Sequence, residues 1–257
     1  MTPALPWFVC FQRVMVPTIR LFCLPFAGGG ALAYRRWHEH LAAGVEVWAV
    51  RPPGRETRHA ERAHFRLGPL LDDLEREIQP WLDVPFALFG HSQGALVAFE
   101  LARRLEGQGH LPVHVFVSAH AAPQLRPVLT PVHLSPDDVI LERLQHYGGT
   151  PQAIYDSTAL MSAILPNLRR DIAVSETYRY VDTTPLASPL TAFGGASDVA
   201  ADAASMEAWG SVGDGRFRSY SFAGGHFYWS DDPAPLLHEI DNDLRMSFPP
   251  ISSPNAR

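Results

Sequence analysis

Five residues, Gly90-His91-Ser92-Gln93-Gly94, constrain this chain more than any others. They follow an apolar run, Phe86 to Phe89, and precede a run of helical character, Ala95 to Leu105. A strand, a sharp turn with glycine on both sides of a serine, and then a helix is the arrangement that exposes a serine hydroxyl at the end of a sheet. Glycine is required at both positions because a side chain would collide with the adjoining strand and helix, and the serine itself is expected in a strained backbone region. A chain of 257 residues should contain roughly 0.1 such patterns by chance, so the flanking strand and helix matter as much as the motif. The competing reading is a surface turn with a solvated serine. A reactive serine needs two further residues, a histidine base and a carboxylate, in the chain order Ser, Asp/Glu, His.

Strand-like and helix-like segments alternate along the rest of the chain. Arg20–Leu24, Val45–Val50, Phe86–Phe89, Val113–Ser118, Pro189–Phe193 and Phe217–Phe222 read as strands. Tyr34–Leu41 reads as a helix. So does the stretch from Leu67 to Leu82, where Leu67, Leu70, Leu71, Leu74, Ile78 and Leu82 share one face. A last helix runs from about Ala234 to Leu244, and Pro249 to Arg257 reads as a frayed tail. This rhythm predicts one α/β domain over residues 1–257, with a mostly parallel sheet flanked by helices and a site at the carboxyl ends of the strands. Between residues 125 and 185 two helical segments follow one another without a strand, broken at Gly148-Gly149-Thr150-Pro151. An all-helical insertion at that point reads as a lid over the strand ends. Its apolar residues are either helix-packing core or the wall of a channel. Phe26, Met161, Ile164, Leu165, Leu168 and Phe227 are the candidates for a substrate chamber.

The two missing residues fall where the architecture wants them. Asp198 lies just past one late strand and His226 just past the next. Serine is a poor nucleophile at neutral pH and needs a base within hydrogen-bond reach, which His226 would be. Asp198 would fix the imidazole tautomer and stabilise the imidazolium. Asp202 is the main rival acid, while Asp171 and Asp182 lie in the insertion and are poorer candidates. A developing oxyanion needs two backbone N–H donors. Gln93, which follows the serine, should supply one. The loop Pro25-Phe26-Ala27-Gly28-Gly29-Gly30 should supply the other, from Ala27 or alternatively Phe26. Read instead as a phosphate loop, that glycine run lacks the following Lys-Ser/Thr.

Composition closes off other classes. A net charge of −6 leaves no basic block to track a phosphate backbone, so nucleic acid is not an expected partner. Arg51, Arg55, Arg58 and Arg62 gather locally, either as a solvated loop or as a docking or anion-binding site. No apolar run approaches the ~20 residues that span a bilayer, and no signal peptide is apparent. Cys23 lies in an apolar run and Cys10 does not pair with it by any framework pattern, which fits a reducing cytoplasm. His38 and His40 point to different helix faces, and no metal-ligand spacing stands out among the 12 histidines.

The chain resembles the type II thioesterases that accompany polyketide synthases and nonribosomal peptide synthetases. The resemblance is carried by Leu24-Pro-Phe-Ala-Gly-Gly-Gly30, Pro53-Gly-Arg55 with Arg58, Gly90-His-Ser-Gln-Gly94, Gly148-Gly-Thr-Pro151, Asp171 with Glu176-Thr-Tyr-Arg-Tyr180, Phe193-Gly-Gly-Ala-Ser-Asp198 and Gly224-Gly-His-Phe227. It implies an α/β-hydrolase fold with a helical lid. It also implies hydrolysis of acyl groups from the phosphopantetheine arm of an acyl or peptidyl carrier protein, to clear stalled or misprimed chains. The substrate carries the phosphopantetheine, so no cofactor or metal of the enzyme's own is expected, and a monomer is. One departure is Gln93, where the family more often has methionine. Competing readings are a general serine esterase or lipase, an acyltransferase with the same triad, and a non-catalytic scaffold that docks carrier proteins.

Overall fold

The computed structural model describes residues 7–125, 131–181 and 184–247. Its sheet has seven strands: β1 (Phe8–Val9), β2 (Ile19–Leu24), β3 (Val45–Val50), β4 (Phe86–His91), β5 (His114–Ser118), β6 (Leu190–Gly195) and β7 (Phe217–Phe222), in the spatial order β1-β3-β2-β4-β5-β6-β7. Only β1 is antiparallel, pairing Phe8 with Val50; every other pair is parallel. Strands β2 to β6 are buried on both faces, which is why they read as nearly unbroken apolar runs rather than alternating ones.

One face of the sheet packs against α1 (Leu67–Ile78) and α2 (Gln93–Gly107), around Phe22, Trp48, Leu88 and Phe99. The other carries α7 (Ala234–Ser247) and an aromatic cluster of Tyr34, Trp37, Phe89 and Trp229. The helix expected over Tyr34–Leu41 is instead two 3-10 turns, Ala31–Tyr34 and Trp37–His40. α1 ends at Ile78 rather than Leu82 because Pro80 cannot extend it, and Gln79–Trp81 tightens into a 3-10 turn.

Between β5 and β6 lie α3 (Asp137–Tyr147), the short α4 (Gln152–Tyr155) and α5 (Thr158–Glu176). Their own apolar cluster of Val132, Ile140, Met161, Leu165 and Leu168 is separate from the two cores against the sheet. α6 (Ala203–Glu207) follows β6. The frayed tail expected from Pro249 onward lies outside the described residues. No helix among the described residues is long and apolar enough to cross a membrane.

The turn after β4 shows why the motif needs its glycines. A Cβ on Gly90 would sit 1.9 Å from the Gly94 carbonyl oxygen, and one on Gly94 would sit 2.1 Å from that of Leu24 on β2. Both obstacles are backbone, which cannot rotate aside. Gly94→Ala is therefore expected to destabilise the fold by about 3 kcal/mol or more. Denaturant unfolding checks this; a variant within 1 kcal/mol of wild type (about a fivefold change in the folding constant) would refute the close-packed elbow.

Candidate active site

Ser92 stands between β4 and α2 with φ 55° and ψ −121°, a conformation that costs a non-glycine residue roughly 1–3 kcal/mol. Its N–H is held by the Ser118 carbonyl at 2.7 Å, and its carbonyl accepts from Ala95 N–H. The strain is thus fixed from both sides, and Oγ is thrust out beyond the strand end. There it lies 2.9 Å from His226 Nε2.

His226 follows β7 and Asp198 follows β6, so the parallel pairing of these strands brings the two loops together. Ser197 N–H donates to the Gly224 carbonyl and continues that pairing past the strands. His226 Nδ1 meets Asp198 Oδ2 at 2.8 Å, while Asp198 Oδ1 accepts from Ala200 N–H at 2.9 Å. Both side chains are almost fully buried. The rival acids are elsewhere employed. Asp202 caps α6 through Ser205 N–H, and that bond holds its carboxyl below the usual range. Asp171 pairs with Arg55. Asp182 lies outside the described residues.

The structure also brings in residues that the motif reading passed over. His91, fully buried, accepts from Trp229 Nε1–H at its Nδ1, which also meets Ser118 Oγ at 2.8 Å. Ser118 Oγ in turn meets the Tyr228 hydroxyl. With Nδ1 an acceptor, the neutral ring carries its proton on Nε2. Burial pushes the His91 pKa well below 6.5, with the nearby His226 adding to the effect, and burial pushes the Tyr228 phenol up. This neutral network straps the segment carrying His226 onto the ends of β4 and β5. Tyr147 from α3 stacks on the His226 ring at 4.8 Å, and Phe227 packs edge-on against Phe26.

Ser92 and His226 open into a chamber of about 290 Å³. Phe26, Ala27 and Gln93 line it, so both stretches put forward for oxyanion donors share the cavity with Ser92. Gln93 opens α2, where helical geometry leaves the first N–H groups without intrahelical partners. Of the proposed chamber residues, Phe26, Leu168 and Phe227 line the cavity. Met161, Ile164 and Leu165 do not. Met161 and Leu165 share a stripe of α5 with Leu168 and Ile172, but within the insertion's apolar cluster, which also holds Val132, Ile140, Ile154 and Tyr155, they lie on the amino-terminal half of the helix. Only its carboxyl-terminal half reaches the chamber, where Ile172 and Ser175 also lie.

The arginine cluster is not a simple solvated loop. Arg55, mostly shielded from solvent, pairs with the buried Asp171, and Arg58 stacks over Trp7 and donates to the Arg51 carbonyl. Cys23 is buried, which raises its thiol pKa well above the usual value; burial first, then Glu46, pushes Cys10 up to about 11. Among the described residues no group of three or more His, Cys, Asp or Glu is placed to hold a metal ion.

The thioesterase-domain family profile matches residues 19–244. The chain belongs to the thioesterase family. This thioesterase is 36% identical over 245 residues to the gramicidin S biosynthesis protein GrsT of Aneurinibacillus migulanus, covering 95% of this chain and 96% of that one. It is 35% identical to thioesterase PikA5 of Streptomyces venezuelae, over 93% of this chain and 84% of the relative. Among solved structures, the type II thioesterase BorB from the borrelidin biosynthetic cluster superposes with a TM-score of 0.86 at 35% identity, covering 93% of this chain and 98% of BorB. The α/β-hydrolase fold and the type II thioesterase resemblance both hold, and the protein is a serine hydrolase.

Proposed function

We propose that this thioesterase hydrolyses acyl groups from the phosphopantetheine thioester of carrier proteins in polyketide or nonribosomal peptide synthesis, through an acyl-enzyme on Ser92. The observation that carries the reading is the continuous line from Ser92 Oγ to His226 Nε2 and from His226 Nδ1 to Asp198, opening into an apolar-walled chamber. Kinship with GrsT, PikA5 and BorB supports the substrate class.

In this mechanism His226 takes the Ser92 proton as Oγ attacks the thioester carbonyl. Asp198 stabilises the imidazolium without taking a proton. The oxyanion rests on the N–H groups of Gln93 and Ala27. Ala27 is favoured over Phe26 by the loop's own bonding. Gly29 N–H donates to the Phe26 carbonyl at 2.8 Å. In a trans peptide that carbonyl and the Ala27 N–H point in opposite directions, so fixing one aims the other. Collapse of the tetrahedral intermediate expels the pantetheine thiol, which takes its proton from His226. Water, deprotonated by His226, then attacks the acyl-serine and releases the acid and the serine hydroxyl. We read α3 to α5 as a lid, because Tyr147 on α3 and Leu168 on α5 cover His226 and the chamber.

Acyl-carrier thioesters of graded chain length, each compared with a matched oxygen ester, test this. The thioester is expected to be hydrolysed at least tenfold faster in kcat/KM. Equal rates on the oxygen esters would point to a general esterase, and transfer of the acyl group to an added alcohol instead of water would point to an acyltransferase.

A further inference from the structure

The loop that carries Ala27 ends in three consecutive glycines, Gly28 to Gly30. Glycine has no side chain to anchor it and the widest backbone freedom, so a single internal hydrogen bond leaves this segment under-determined. The turn Phe26–Gly29 is closed by the Gly29 N–H to Phe26 carbonyl bond, with Gly28 at φ +80°, the conformation a type II turn requires at its third position. What fixes it comes from outside. Gly28 N–H donates to Asp171 Oδ2 at 2.8 Å, and the Gly29 carbonyl accepts from an Arg55 amine at 2.6 Å. The other Arg55 amine donates to Asp171 Oδ1 at 2.9 Å. Asp171 is buried and the Arg55 side chain is 12% exposed, and the two bracket the Gly28–Gly29 unit.

Asp171 sits on α5, the helix whose Leu168 and Ile172 line the chamber. Two neighbouring contacts on α5 reinforce the tie. Asn167 Nδ2 donates to the Gly54 carbonyl at 2.5 Å, beside Arg55. Leu168 Cδ1 lies 3.4 Å from the point where a Cβ on Gly28 would stand. Arg55 and Gln93 also line one small cavity of about 30 Å³. Arg55 therefore adjoins both stretches put forward for oxyanion donors.

We propose that the Arg55–Asp171 pair is a positioning device that ties helix α5 to the glycine turn and thereby aims the Ala27 N–H at the reacting carbonyl. This rests on the reading of Ala27 as an oxyanion donor. The pair touches no substrate. Acting through Gly28, Gly29 and the Phe26 carbonyl, it makes the donor's direction depend on where α5 lies. An acyl chain that seats against Leu168 and Ile172 bears on the same helix, so chamber occupancy and oxyanion stabilisation are mechanically linked.

The test separates transition-state from ground-state binding. Two probes carry the same alkyl chain and pantetheine arm: a trifluoromethyl ketone, which forms a tetrahedral adduct on Ser92, and a thioether, which has no carbonyl. In Asp171→Ala, kcat and ketone affinity are each expected to fall about 10²-fold, the loss typical of a misplaced donor, while thioether affinity changes less than about threefold. Asp171→Asn offers one acceptor oxygen to two donors, Gly28 N–H and the Arg55 guanidinium, and must turn an N–H toward the other, so its kcat should stay within about tenfold of Asp171→Ala. Because Asp171→Ala leaves a largely desolvated arginine alone and can unfold the protein, the double variant Arg55→Met/Asp171→Leu is made alongside it. Removing both charges preserves folding yet still frees the glycine turn, so this variant should melt near wild type and remain about 10²-fold slow. Wild-type kcat in the folded double variant, or equal losses for both probes, overturns the proposal. If wild-type enzyme itself does not discriminate the ketone from the thioether, the oxyanion-hole reading fails first.

Discussion

Ser92→Ala is expected to cut hydrolysis of an acyl-carrier thioester by on the order of 10⁶-fold, and His226→Ala by a similar factor. The two losses should not add. Ser92 Oγ and His226 Nε2 are 2.9 Å apart and share one proton between them, so neither contributes without the other. The double variant should be no slower than either single one, leaving only the residual catalysis from binding and the oxyanion donors. Single-turnover kinetics on one acyl-carrier thioester, with mass spectrometry for the acyl-serine, measure both points. Acid release from Ser92→Ala at even a hundredth of the wild-type rate would refute Ser92 as nucleophile. Strictly additive losses would mean the serine and the imidazole act in separate steps.

Those residues were legible because each lies at a strand terminus, where short-range pattern carries the information. Glycine around Ser92, and the runs ending at Phe193 and Phe222, place three polar side chains at the ends of β4, β6 and β7 without any knowledge of packing. The sheet was readable for the same reason, since doubly buried parallel strands leave dense apolar runs. β1 escaped because it is two residues long and is defined by its antiparallel pairing with β3, not by a pattern of its own. The chamber wall was only half legible. Helical periodicity correctly groups Met161, Leu165 and Leu168 on one face of α5, but which part of that face is covered by α4 and which passes over Ser92 is decided by tertiary placement. Arg55 and Asp171 stood out in sequence as separate marks 116 residues apart, and nothing local reveals that they meet behind the glycine turn. Gln93 is a related case. Its backbone place at the start of α2 follows from the motif, whereas the burial of its side chain beside Arg55 does not.

Asp198→Asn is expected to lower kcat by about 10⁴-fold, although the substitution changes almost nothing in size. The reason is the direction of one proton. Asp198 uses both carboxylate oxygens, Oδ1 accepting from Ala200 N–H and Oδ2 from His226 Nδ1–H. An asparagine must keep its carbonyl oxygen toward the Ala200 N–H, because two N–H groups cannot face each other. Its amide nitrogen is then turned toward His226 Nδ1 and donates to it. That imposes the other tautomer, with the proton on Nε2, and an Nε2–H cannot accept the Ser92 proton. The geometry is preserved while the base is disabled. KM should stay within about threefold, since the chamber walls are untouched, so the loss falls on kcat. Nitrogen NMR of the imidazole provides the decisive readout, with Nδ1 protonated in the wild type and Nε2 protonated in the variant. An Asp198→Asn enzyme that keeps a tenth of wild-type kcat would show that Asp198 does not set the tautomer, and Asp198→Ala, which removes both bonds, would then be expected to behave no worse.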